Sequence, residues 1–442
     1  MTNKKYYIAT YGCQMNVHES EKLAGILKSR GYEPCFDIKD SDIIVFNTCC
    51  IREGAEQKII GNIGAVKPIK RLKPGLIVAV CGCMTQQNKM ADYLKQKFPF
   101  INIIFGANNV EFFGKYLDTY LQQKKYQNQV IPNEDYIENE NGVEISRDST
   151  LHAFVNIMYG CNNFCSYCIV PYVKGREQSR DVKSILDEVK NLIDMNYKVV
   201  TLLGQNVNSY HSKLDGKDVD FADLMQLICD IKGDFELRFM SSHPKDLTSK
   251  VIDVIAKNSK ISKYIHLPVQ SGSNAILKSM NRNYTKEKYL GLIDEIKTKI
   301  PNVVLTTDII VGFPGETDKD YQDTVDLIKT VRYSNAYIFM YSKRKGTPAE
   351  KMENQIPLAT KKERIHNLLE IEHQISNEIF MQMIGTTQKV LVEEDLEDIW
   401  VAKLQCGKVA KIAKQQNNNL QIGQFVDVKI VDYKNGDLIA TI

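Results

Sequence analysis

The sequence predicts a multidomain α/β protein with an N-terminal doubly wound parallel sheet, a central open (βα)6 partial TIM barrel and a small C-terminal all-β barrel. Three observations predict it. β-branched runs alternate with helical ones up to about residue 122, six more strand-like runs follow in order from Ala153, and the chain beyond Met383 changes to short alternating strands.

In chain order, Tyr6 opens the strand YYIAT and a helix follows from about Val17 to Arg30. DIIVF from Asp42 precedes a helix from Ile51, and LIVAV from Leu76 precedes one near Met90. Repeated βα units imply a parallel sheet, because a crossover helix brings each strand back in the same direction. Lys124 to Asp148 is polar, carries no period and reads as a linker or covering loop. AFVNIM, VVTLL, FELRFM, YIHLPV, VVLTTDIIV and NAYIFMY then form six strands, with helices expected at Val182–Met195, Ala222–Lys232 and Tyr321–Val331. A closed barrel has eight such units, so this one should stay open, with a mouth wide enough for a macromolecule. After a helix-rich stretch from Lys361 to Met383, KVLVEE, IWVAKL, GKVAKIA, GQFVDVKIV and DLIATI alternate as the strands of a small barrel do. The expected divisions are 1–122, a linker over 123–148, 149–378 and 379–442.

Composition narrows the function classes. With 43% hydrophobic and 25% charged residues the chain reads as globular, not disordered or fibrous. No apolar run approaches the ~20 residues of a membrane span, and the N-terminus lacks the apolar stretch of a signal peptide, so a cytoplasmic location is expected. Lys and Arg number 57 against 54 acids, a formal charge of +3, so any nucleic-acid site must be a local patch. The 11 cysteines are the unusual feature, since clustered thiols in a reducing compartment more often hold metal than pair.

Cys161, Cys165 and Cys168 form a C-x3-C-x2-C just after the first barrel strand. Three thiolates can wrap one face of a metal centre, and no fourth Cys or His follows nearby. A structural zinc wants four ligands, whereas a 4Fe-4S cluster on three cysteines keeps one iron open for chemistry; zinc stays as the alternative. Cys13, Cys49 and Cys83 lie far apart in sequence, but each follows one of the first three predicted strands. At the carboxyl edge of a parallel sheet they become neighbours and suggest a second three-thiolate set. Two of them have twins, Cys50 beside Cys49 and Cys81 before Cys83, and spacing does not choose between them. Cys49 and Cys83 are preferred because each closes a strand-end turn. Cys35, Cys229 and Cys406 are read as core or surface thiols, and His243 and His266 as loop or core histidines.

These residues carry a resemblance: the chain is similar to the methylthiotransferases of the radical S-adenosylmethionine superfamily. Cys161-x3-Cys165-x2-Cys168, with the aromatic Tyr167, resembles the superfamily's cluster motif, and the C-terminal strands resemble the RNA-binding TRAM domain. YGCQMNVHES, NTCCIRE, GCNNFCSYCIVPYVKGREQSR, LLGQNVNSY, RFMSSHP, HLPVQSGSNAILKSMNRNYT and DIIVGFPGET are most like the branch that acts on prenylated adenosine in tRNA. Cys50 stands where the family commonly has a small residue, and Lys174 where it often has Arg.

The resemblance implies an enzyme that replaces hydrogen at carbon 2 of N6-dimethylallyladenosine, at position 37 beside the tRNA anticodon, with a methylthio group. It implies two 4Fe-4S clusters, the catalytic one on Cys161, Cys165 and Cys168 and an auxiliary one on Cys13, Cys49 and Cys83. It implies S-adenosylmethionine as both radical source and methyl donor. The implied partners are a tRNA anticodon stem-loop, a reductant such as flavodoxin or ferredoxin and a sulfur source, with the protein a monomer. Strand ends nominate Gly204, Gln205, Gln270, Ser271, Asp308 and Gly312 beside Tyr167 as S-adenosylmethionine contacts. Local charge nominates Lys174, Arg176 and Arg180, with Lys403, Lys408 and Lys411 of the last barrel, as RNA contacts, and Trp400 or Tyr433 as stacking surfaces. The rival readings are a methylthiotransferase acting on threonylcarbamoyladenosine or on a ribosomal-protein aspartate, and a non-catalytic zinc-stabilised RNA-binding protein.

Overall fold

A computed structural model describes residues 4–50, 53–131, 144–414 and 419–442. The N-terminal unit runs β1 (Lys4–Thr10), α1 (Gln14–Lys28), β2 (Tyr32–Pro34), β3 (Ile43–Thr48), α2 (Glu53–Ala65), α3 (Lys67–Leu72), β4 (Ile77–Gly82), α4 (Met90–Lys97), β5 (Ile103–Phe105), α5 (Phe113–Gln123) and β6 (Gln127–Gln129). Its six strands are all parallel, in the order β2-β1-β3-β4-β5-β6. β3 and β4 are buried along their whole length, as central strands covered on both faces must be, which is why IIVF and IVAV read as unbroken apolar runs. β2, β5 and β6 are only three residues long, too short to show a period in the sequence. β6 lies inside the stretch expected to be a linker; residues 132–143 of that stretch and the Ile51 start expected for the second helix lie outside the described residues.

Helix α1 departs from its sequence pattern. QMNVHESEKLAGILK looks like a surface helix, yet Met15, Asn16 and every residue from His18 to Leu27 are buried, because the helix is sandwiched between the sheet and the barrel. The returning chain crosses it closely: a Cβ at Gly25 would stand 1.8 Å from the Glu144 carbonyl oxygen, and Ser146 N–H donates to Glu21 O at 3.0 Å.

The central unit contains β7 (His152–Asn156), β8 (Met158–Tyr159), α6 (Val170–Lys174), β9 (Gln178–Ser179), α7 (Val182–Asp194), β10 (Val199–Leu203), β11 (His211–Leu214), β12 (Lys217–Asp220), α8 (Phe221–Cys229) and β13 (Glu236–Phe239). It continues with α9 (Ser249–Lys257), β14 (Tyr264–His266), α10 (Asn274–Ser279), α11 (Lys286–Lys299), β15 (Val304–Val311), α12 (Asp318–Val331) and β16 (Asn335–Met340). β7, β10 and β13 pair in parallel, as do β14, β15 and β16, and a parallel bridge between Leu237 and Ile261 joins the two halves into one open array of the six predicted strands. The β11–β12 hairpin was not expected; Asp215 and Gly216, both at positive φ, make its two-residue turn.

Helix α13 (Leu358–Gln382) leads into β17 (Thr387–Asp395), β18 (Ile399–Leu404), β19 (Val409–Ala413), β20 (Phe425–Lys434) and β21 (Asp437–Thr441). These five strands close a barrel in the order β17-β18-β19-β21-β20. Phe380 at the end of α13 packs into its core, as does Trp400. Among the described residues no helix is long and apolar enough to cross a membrane.

Candidate active site

Strand register explains why three remote cysteines meet. Thr10 lies opposite Asn47, and Thr48 opposite Gly82, so β1, β3 and β4 end level and the residues after them occupy one edge. In the order 2-1-3-4 the crossover changes side between β1 and β3, which opens a crevice there. Tyr11 N–H donates to Asn47 O and Cys83 N–H to Thr48 O, tying the three turns together. Asn16 Nδ2 donates to Asn47 Oδ1 at 3.2 Å and Thr48 O at 3.1 Å, while Asn47 Nδ2 returns a bond to Asn16 O at 2.9 Å. Two glycines permit the approach. A Cβ on Gly12, at φ +121°, would stand 2.9 Å from Cys49 Cβ, and one on Gly82, at φ +99°, 2.3 Å from Thr48 O.

Cys13 caps the start of α1, and its thiol donates to Asn16 Oδ1 at 3.5 Å. Burial and the neighbouring Cys83 charge push its pKa up. Cys50 packs in the same cluster as Cys83 and donates its S–H to it, which lowers Cys83 and raises Cys50. The twin thiol therefore stays within the site. Cys81 does not: it is fully buried with Ile43, Val45, Ile77 and Ala79, on the sheet face opposite the one that carries Ile44, Phe46, Val78 and Val80.

The set of Cys161, Cys165 and Cys168 needs no distant strands. Cys168 N–H donates to Cys165 O at 2.9 Å, and burial first, then the Cys165 charge, raises Cys161 and takes Cys168 up to about 12. The segment after α10 holds this loop. Ser166 N–H donates to Met280 O, Ser166 Oγ to Ser279 O, and Asn281 Nδ2 to the carbonyls of Asn163 and Phe164. Arg282, buried behind the loop, donates from Nη1 to Cys165 Sγ at 3.5 Å. That segment is the part of the site which sequence reasoning missed; MNRNYT was noticed as a resemblance, with no role for its residues.

Thiols alone, buried or half-buried, with Cys50 added to one of the two sets, suit a thiophilic metal group, whose charge would reverse these upward shifts. Among the described residues no three His, Cys, Asp or Glu side chains close on one point as a single ion requires.

A cavity of about 690 Å³ opens beside Cys168, lined by Tyr167, Gln270, Asp308, Ile310, Phe339, Met340 and Arg344, with Gln57 reaching in from α2. Its size suits a cofactor-sized ligand. Tyr167, Gln270 and Asp308 line it as expected positions, but Gly204, Gln205, Ser271 and Gly312 do not. A Cβ on Gly204 would meet Met158, and Gln205 Nε2 turns to Met15 Sδ at 2.7 Å, toward α1 and Cys13. Ser271 Oγ faces Thr324 and accepts from Ser273 N–H, which makes it a turn residue. Gly312, at φ +70°, packs on the Lys361 stem. The wall at Phe339 to Arg344 continues from β16, the sixth strand, where the sequence nominates no contact.

The RNA candidates divide as well. Lys174 does not face solvent: it is 7% exposed, with Nζ 5.5 Å from the Tyr159 ring, and Cys83, Glu19 and Cys13 raise its pKa against the opposing effect of burial. It follows the Cys161 loop in sequence but serves the other cysteine set, so the phosphate contact expected of it is corrected. Arg180 pairs with Glu188 at 3.0 Å. Lys403 pairs with Glu393 at 2.6 Å and Lys411 with Asp437 at 2.7 Å, while Lys408 lies over the rings of Phe380 and Tyr433. Arg176 is exposed, stacked 4.5 Å from the Phe164 ring centre.

Three family models match the chain: the radical SAM superfamily over residues 155–328, "Uncharacterized protein family UPF0004" over 5–106 and the TRAM domain over 381–442. Fold and site together thus define a radical SAM protein with an added N-terminal sheet and a TRAM barrel. The chain is 49% identical to a tRNA-2-methylthio-N(6)-dimethylallyladenosine synthase of Clostridium botulinum (strain Loch Maree / Type A3), over 97% of this chain and 94% of that one. It is 46% identical to the synthase of Clostridium perfringens (strain 13 / Type A), over 100% and 98%. The chain belongs to this synthase family. Among solved structures, the radical S-adenosylmethionine methyltransferase TsrM from Kitasatospora setae shares the fold at TM-score 0.58 and 14% identity, covering 79% of this chain and 77% of that one.

Proposed function

We propose that the protein is a radical S-adenosylmethionine methylthiotransferase that converts N6-dimethylallyladenosine at tRNA position 37 to 2-methylthio-N6-dimethylallyladenosine. The observation that carries this reading is the presence of two separate all-cysteine sets in a chain that matches the synthases along nearly its whole length.

Carbon 2 of adenine has no acidic proton, so no acid-base pair of this chain could remove it. S-adenosylmethionine and two 4Fe-4S clusters, when bound, supply the radical, the sulfur and the methyl group. Cys161, Cys165 and Cys168 would hold one cluster, and Cys13, Cys49 and Cys83 the other, with Cys50 at hand beside Cys83. Tyr167, Gln270 and Asp308 would orient S-adenosylmethionine in the cavity. Asp308 is itself steadied by His266, 3.6 Å away, and Ile310, Phe339 and Met340 would keep water from the reacting carbon. Arg176 and the lysines of the last barrel, Lys408 foremost, would meet the anticodon stem-loop. The reading includes a flavodoxin- or ferredoxin-type reductant, a sulfur source and a monomer in the cytoplasm.

Tandem mass spectrometry of tRNA nucleosides from a deletion strain tests it. The methylthiolated nucleoside should vanish and its unmodified dimethylallyl precursor accumulate, and both should revert on complementation. An unchanged level in a strain with no second such enzyme overturns the reading. Loss of a threonylcarbamoyladenosine derivative instead would reassign the substrate.

A further inference from the structure

The buried arginines of this chain differ in one respect. Arg364 pairs with Glu316 at 2.6 Å and Asp318 at 2.7 Å, and Arg147 with Glu21 at 3.6 Å and Glu188 at 3.0 Å. Arg282 is 7% exposed, and its partners are the Tyr284 hydroxyl at 2.9 Å, the Pro268 carbonyl at 2.8 Å and Cys165 Sγ at 3.5 Å. Among the described residues no carboxylate pairs with it. A guanidinium carries a fixed charge, and removing it from water without an anion costs several kcal/mol. Of its three partners the sulfur is the one that binding to a metal would make an anion.

The surroundings hold the fork in this orientation. Tyr284, whose hydroxyl takes Nε–H, is itself anchored by donating to Val269 O at 2.8 Å, and the neutral His243 ring stands edge-on to it with centroids 5.7 Å apart. On the other side Asn281 and Met280 fix the backbone of the cysteine loop. One five-residue stretch, Met280 to Tyr284, therefore sets both the path of the loop and the charge behind its middle cysteine.

We infer that Arg282 is a positioning residue which fixes Cys165 as a thiolate ligand and raises the reduction potential of the cluster on Cys161, Cys165 and Cys168. The inference rests on the assignment of a cluster to that loop. Hydrogen bonds to ligating sulfur, and positive charge beside it, favour the more negative, reduced form of a cluster.

The test uses the full-length protein with Cys13, Cys49 and Cys83 replaced by alanine and reconstituted without air, so that one cluster gives the whole signal. Its midpoint is read by potentiometric titration followed by electron paramagnetic resonance. Arg282→Met should lower the ratio of reduced to oxidised cluster about tenfold at a given potential, which is ~59 mV for a one-electron couple. Arg282→Lys, which keeps the charge without the fork, should lose less. An unchanged midpoint in Arg282→Met with iron content retained overturns the inference. Should that variant fail to fold, Tyr284→Phe removes only the hydroxyl that steadies Nε, and no downward movement there also overturns it. A parent protein that binds no iron refutes the cluster assignment itself, an outcome separate from either variant result.

Discussion

The two cysteine sets reach similar sites by opposite routes. Cys161, Cys165 and Cys168 sit on one loop, pinned by a single neighbouring segment, and their spacing alone brings them together. Cys13, Cys49 and Cys83 come from three strand ends and depend on sheet register, on two glycine turns and on the asparagine lattice of Asn16 and Asn47. Charge is handled differently as well. Arg282 faces the first set without a carboxylate, whereas the second has Lys174 in the company of Glu19, which accepts from Tyr159 Oη–H at 2.6 Å. A contiguous motif carries its geometry with it; a distributed one borrows geometry from the whole domain and should be the more easily broken.

The largest effects test whether the sets are separate centres. Triple alanine replacement of either set should abolish methylthiolation and reduce iron from close to eight per chain to about four. Loss of all iron on replacing one set would mean a shared centre and end the comparison. Gly82→Ala should then expose the asymmetry. Its Cβ would press on Thr48 O from a left-handed backbone, costing at least ~1–3 kcal/mol in melting experiments and removing iron from the N-terminal set alone. Iron lost equally from both sets would show that the second is no more fragile than the first.

How much of this was readable beforehand follows the same division. The six barrel strands and the five of the last barrel each carried a clear run or alternation, and Cys161, Cys165 and Cys168 announced themselves by spacing. The level strand ends could be inferred from βα order, but the choice between Cys83 and Cys81 needed the alternation of β4, and nothing local told that Cys50 would touch Cys83. Helix α1 was legible as a helix and illegible as a buried one, since its burial comes from contact with a barrel more than a hundred residues further on. Lys174 looked like a phosphate contact because charge runs are read by neighbours in sequence, and its true neighbours, Tyr159 and Cys83, lie on other elements. Arg282 gave no signal because a single arginine is informative only when its missing partner is seen.

The dependence of the distributed set on α1 should show in the response to pH. Glu21 lies in the seam between α1 and the barrel, with Arg147 at 3.6 Å, His18 Nδ1 at 3.4 Å and Asp148 nearby, and burial raises its pKa to about 7. The folded state thus binds this proton more tightly than the unfolded chain. Protonated Glu21 favours folding fully below the unfolded value near 4.5, and that contribution is lost as pH rises through about 7. It amounts to at most about 3 kcal/mol. Glu21→Gln should flatten the stability profile between pH 5 and 8 and make the iron of the N-terminal set less sensitive to pH. Parallel profiles for the two proteins would remove α1 protonation from the comparison.

The smallest expected effect concerns what each set shows to RNA. Arg176 follows the contiguous loop and is exposed on Phe164, and among the described residues it has none of the carboxylate pairing that engages Arg180, Lys403 and Lys411. One phosphate contact contributes about one unit to the slope of binding against salt. Arg176→Ala should therefore weaken binding of an anticodon stem-loop a few-fold and reduce that slope by about one, with iron content unchanged. Lys403→Ala should do less, because Lys403 is already held by Glu393, which also accepts from His152 at 2.8 Å, and so has less charge to offer a phosphate. If Lys403→Ala instead exceeds Arg176→Ala in its effect on the slope, the C-terminal barrel and not the rim of the contiguous loop carries the phosphate contacts, and the contiguous set has no special share in holding the substrate.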